Sequence, residues 1–171
     1  HPMGWKGVLN GYPIKDIPKT KAFVIASILS ISIYTISWFS SKSYICQLIE
    51  LSETNVSVFP NLLGFNLGGY AIIVGFSSLE LIKSMMRPQK RKKHSLFQET
   101  SSIFAFSIVL QAIVLVVSFL IKVIDLLDLK NYFNLFAFGY KVFNAFSIVI
   151  YPILLFITIY ALVLLPFIII N

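Results

Sequence analysis

Residues Ile103 to Ile124 read IFAFSIVLQAIVLVVSFLIKVI, an apolar run whose one charge, Lys122, stands close to its end. A helix rises about 1.5 Å per residue, so such a run crosses the ~30 Å hydrocarbon core of a bilayer while satisfying its own backbone hydrogen bonds. Three further runs resemble it, from Ala22 to Phe39, Leu62 to Ile82 and Val142 to Ile170. The expected fold is therefore all-α, an integral membrane bundle of four transmembrane helices forming a single domain over residues 1–171. The connections are an outer loop over 40–60, a basic loop over 83–101 and a second outer loop between the third and fourth spans. None is long enough for a separate folded domain, which takes at least ~50 residues.

Composition supports this reading. The chain is 57% hydrophobic and 12% charged, against roughly a quarter charged for a soluble domain. His1 and Pro2, ahead of Met3, are expected to be a cloning remnant. Trp5, Val8, Leu9, Tyr12 and Ile14, set among glycines, Pro13 and lysines, suit an interfacial anchor ahead of the first span.

Charge sets the expected orientation. Lys6, Lys15, Lys19 and Lys21 precede the first span, and Lys83, Arg87, Lys90, Arg91, Lys92 and Lys93 lie between the second and third. The other connections hold Lys42 and Lys130 against Glu50, Glu53, Asp125 and Asp128. Short loops rich in Lys and Arg stay inside, so both termini and the basic loop are expected to be cytoplasmic. Lys122, Asp125 and Asp128, at successive steps of three, suit an ion-pair ladder closing the third span. The lone Cys46 falls in the first outer loop, where a single thiol forms no intrachain disulfide.

That outer loop carries Tyr44, Ile45, Leu48, Ile49 and Leu51 at helical spacing, the pattern of a short helix lying on the membrane surface. Pro60 would then open the second span. Within that span Gly64, Gly68 and Gly75 form a bare strip that lets another backbone approach, either within the protomer or between protomers. The polar residues expected inside the membrane are Asn66, Glu80, Gln111 and Asn144. Asn66 and Asn144 are expected near the outer surface, where they could meet, and Gln111 deeper. Each either bonds a neighbouring helix or lines a polar path. Glu80, a turn from Lys83 and two from Arg87, suits an interfacial salt bridge or, facing inward, a gate. Pro152 and Pro166 suggest a kink and an end in the fourth span.

Arg87-Pro88-Gln89-Lys90-Arg91-Lys92-Lys93-His94 is the most concentrated charge in the chain. Its expected occupants are anionic lipid headgroups, an acidic protein partner or, as the least favoured, nucleic acid. The last lacks support because only Phe97 could serve as a stacking platform. No His or Cys cluster, nucleophile motif or nucleotide fingerprint occurs, so the sequence offers no catalytic residue, no metal site and no cofactor site.

The span layout and the Lys83 to His94 loop resemble the small membrane subunits of bacterial anti-phage systems, that of the two-gene Kiwa system in particular. The resemblance implies a homo-oligomeric membrane sensor whose cytoplasmic face engages a soluble partner. The expected function is thus a non-enzymatic oligomeric sensor or scaffold. Its alternative is a small oligomeric channel or membrane-permeabilising effector, which would need Gln111 or Glu80 and would conduct.

Overall fold

The computed structural model describes residues 20–76, 96–127 and 137–170, with side chains over 20–72, 75, 100–127 and 144–166. Four helices account for them: α1 (Lys21–Trp38), α2 (Tyr44–Phe76), α3 (Leu96–Leu126) and α4 (Ala137–Ile170). Thr20 opens α1 in an extended conformation, its side chain accepting a hydrogen bond from the Phe23 N–H, and the Phe39 and Ser40 N–H groups close it on the Ile36 and Ser37 carbonyls respectively. Inside α1 the hydroxyls of Ser27, Ser30 and Ser32 donate to carbonyls one turn back at 2.7–2.8 Å. A helix rich in serine can therefore face an apolar medium.

Among the described residues, three helices are long and apolar enough to cross a membrane: α1, the Thr100–Leu126 part of α3 and the Asn144–Pro166 part of α4. This marks the chain as a membrane protein. Their exposed surfaces are aliphatic and aromatic, with Ile28, Ile31, Val116, Phe119, Val149 and Ile153 all more than half exposed. Such a surface suits lipid and not water.

The α2 helix departs from the expectation in two ways. The surface helix and the second span, expected as separate elements meeting at Pro60, form one continuous helix of 33 residues. Ser43 starts it by accepting from the Cys46 N–H. A buried stripe, Leu48, Ser52, Asn55, Phe59 and Asn66, runs through the expected junction and holds the two parts together, while the Pro60 ring lies on the exposed side. Among the described residues α2 is not one of the helices apolar enough to span. Its polar residues Gln47, Ser52 and Asn55 face inward, and Glu50 and Glu53 sit near its start. Two smaller differences follow from the helix ends. Helix α3 begins at Leu96, inside the expected basic loop, and α4 runs through both Pro152 and Pro166 to Ile170.

Helices α2 and α3 run antiparallel, as do α1 and α4, and α4 touches all three others. Against α1 it packs across Ala22, Ala26 and Ser30, buried residues at steps of four whose small side chains bring the two helices close. Phe23 meets Phe156 and Tyr160 edge-on, with ring centroids 5.3 and 5.8 Å apart. At the far end of α1, Tyr34, Tyr44 and Tyr151 cluster with centroids 6.0–6.3 Å apart. There Ser37 Oγ and the Tyr151 hydroxyl share a 2.9 Å hydrogen bond. Gln47 Nε2 donates to the Lys42 and Ser37 carbonyls, tying down the α1–α2 turn. The hydrogen-bonded Glu50 carboxylate raises the Lys42 ammonium above its usual pKa.

Candidate functional site

The most extensive helix contact, between α2 and α3, carries nearly all the buried polar side chains that bond across the bundle. Its rungs keep one antiparallel register: each step forward on α2 is matched by a step back on α3. At one end Glu53 accepts a hydrogen bond from Lys122, which also lies 3.9 Å from Asp125. Next, the buried Asn55 amide donates to Ser118 Oγ at 2.9 Å and to Thr158 Oγ1 of α4 at 3.0 Å, joining three helices at one residue. Further along, Asn66 Nδ2 donates to Gln111 Oε1 at 2.9 Å and to Ser107 Oγ at 3.3 Å. Gln111 Nε2 closes that triangle on Ser107. The Tyr70 hydroxyl bonds Ser101 Oγ at 3.1 Å at the other end.

Between the two amide nodes the seam is apolar. Phe59 and Val114, 1% and 0% exposed, occupy the intervening level and belong to the main hydrophobic core. Amides and hydroxyls alone form the inner rungs, so none of those rungs carries an ionisable acid or base. Among the described residues no three His, Cys, Asp or Glu side chains are grouped to hold a metal. The seam can therefore join helices by hydrogen bonds, and a continuous wet path along it would have to displace the apolar layer.

The expected polar residues divide accordingly. Asn66 and Gln111 come together, although they were not expected to pair. Asn144 does not approach Asn66. It lies within a turn of Phe146 and Ser147, which share an apolar cavity of about 80 Å³ with Ile121, Ile124 and Asp125 at the Lys122 end of the bundle. The cause is the early start of α2, which carries Asn66 toward the Ser101 end. Glu80, Arg87, Lys90, Arg91, Lys92 and Lys93 lie outside the described residues, as does Asp128. Lys122 takes Glu53 of α2 as its closest partner, which spacing along α3 alone could not reveal. Cys46 is an exposed free thiol.

Of the two uses expected of the glycine strip, packing within the protomer or between protomers, the first is not seen among the described residues. A Cβ built on Gly64, Gly68 or Gly75 would meet no atom within 4 Å, and all three are exposed. Close approach between helices of this chain falls instead on Ala22, Ala26 and Ser30. Sequence reasoning missed the node of Asn55, Ser118 and Thr158, because Asn55 was assigned to a loop. Its signal was the eleven-residue interval from Asn55 to Asn66, three turns along one helix face.

The class so defined is an all-helical membrane bundle with a hydrogen-bonded internal seam. Compared with known proteins, the chain matches no family model, no curated protein and no solved structure.

Proposed function

We propose that the chain is a non-enzymatic, homo-oligomeric integral membrane protein acting as a sensor or scaffold. In this reading α2 spans with the other three helices, and both termini and the 83–101 loop are cytoplasmic in a bacterial inner membrane. Arg87, Lys90, Arg91, Lys92 and Lys93 then engage anionic lipid headgroups or an acidic soluble partner. The carrying observation is that Asn55, Asn66 and Gln111 are hydrogen-bonded inside the protomer. Their polar capacity is spent on joining helices, which leaves the basic loop as the densest charge available to a ligand. Span layout and loop together support a place in anti-phage defence, through the resemblance to the membrane subunits of such systems.

The test compares the native protein with a variant carrying Gln at Lys90, Arg91, Lys92 and Lys93. Each lost charge removes about 1 kcal/mol of attraction to an anionic surface. The expected result is loss of co-purifying anionic lipid, of captured cytoplasmic protein, or of both. Unchanged lipid content and unchanged partner capture would refute the loop's role.

A further inference from the structure

One face of α2 is covered by nothing among the described residues. Ser57, Asn61, Gly64, Gly68, Ala71 and Gly75 recur at alternating steps of four and three, and every one is exposed. Small residues at such spacing would not by themselves assign a partner. Asn61 does more. Asn55 is level with Ser118 and Asn66 with Gln111, so Asn61, about midway between them, lies level with Val114, close to the middle of the Thr100–Leu126 apolar segment. Its side chain has no hydrogen-bond partner among the described residues. Beside it the exposed Pro60 offers no N–H to the Val56 carbonyl. With α2 spanning, as in the reading above, an outward amide and a freed carbonyl at this level would face hydrocarbon, where no water can satisfy them.

We propose that this face of α2 docks on the same face of a second copy, with the Asn61 amides hydrogen-bonding one another across a two-fold axis. A primary amide both donates and accepts, so it is complementary to itself, and a two-fold axis brings identical positions together. No charge occurs from Ser57 to Gly75, so this face offers nothing to a charged partner. The bare glycines let the two backbones approach, and alternating steps of three and four average 3.5 residues, the repeat of helices crossing left-handed at about +20°. By contrast, the outward faces of α1 and α3 carry bulky Ile31 and Val116. This inference rests on the homo-oligomeric reading above and names its interface.

The test is disulfide trapping in native membranes, in a Cys46→Ser background, with single cysteines from Ser57→Cys or Gly68→Cys on the α2 face. Val116→Cys and Ile31→Cys report on the other faces. In parallel the mass of the unmodified complex is measured in lipid nanodiscs. The expected result is a multimeric mass, covalent dimers from the α2 positions alone, and self-association about tenfold weaker in Asn61→Leu, as loss of an interhelical amide pair implies. A multimeric mass with trapping only through Val116→Cys or Ile31→Cys would overturn the interface and leave the oligomer standing. A monomeric mass would overturn both.

Discussion

Asn55 is the residue on which the bundle's polar interior turns. Its amide spends both hydrogens on two other helices, so truncation should loosen α2 from α3 and α4 together. Asn55→Ala is expected to lower stability in detergent by about 1–2 kcal/mol, given ~0.6–2 kcal/mol for hydrogen bonds between membrane helices. Thermal unfolding of the two proteins checks this, and an unchanged midpoint would deny the node its role. Glu53 should behave differently. Its carboxylate is 55% exposed, so Glu53→Gln is expected to cost roughly 1 kcal/mol or less on the same assay, despite the short contact with Lys122.

At the scale of elements, the most informative pair is α1 with α4. Ala26 is fully buried at their contact, and a larger side chain there has no space. Ala26→Leu should destabilise by ~1–3 kcal/mol through overpacking. By contrast, Gly64→Ala, on the open face of α2, should leave the fold unaltered and raise helix propensity. Melting both variants in one detergent distinguishes a seam inside the protomer from a face turned outward.

Helices α1, α3 and α4 were legible in the sequence because their apolar runs are nearly unbroken. Helix α2 was legible only as two pieces, a surface helix near Tyr44–Leu51 and a span from Leu62, because an average over the residues between cannot tell polar side chains that face inward from those on a loop. Ser52, Asn55 and Asn66 lie on its buried stripe, yet in a sequence they lower the same hydropathy that exposed Glu50 lowers. The site shows the same limit. Asn66 and Gln111 stood out because amides are rare in spans, whereas Ser107, Ser118 and Thr158 did not, since such hydroxyls are ordinarily satisfied by their own helix. Which of them had a partner on another helix depended on register, and register depended on where α2 begins.

For the whole molecule, the proposed topology puts the α1–α2 turn and the basic loop on opposite sides of the membrane. Exposed Cys46 reports on the first. A membrane-impermeant thiol reagent should label it from outside intact spheroplasts. Gln89→Cys, in a Cys46→Ser background, should label only after the membrane is opened. The reverse pattern would invert the topology, and equal labelling of both from outside would remove one span from the count.

The central claim is that the internal polar seam holds helices together and conducts nothing. Ion flux through proteoliposomes tests it most directly, comparing the native chain with Gln111→Leu at matched incorporation and under voltage, pH and osmotic challenge. No flux is expected from either protein, because the buried Phe59 and Val114 close the seam with an apolar layer. A native flux that Gln111→Leu abolishes would contradict it and place α3 on the wall of a pore.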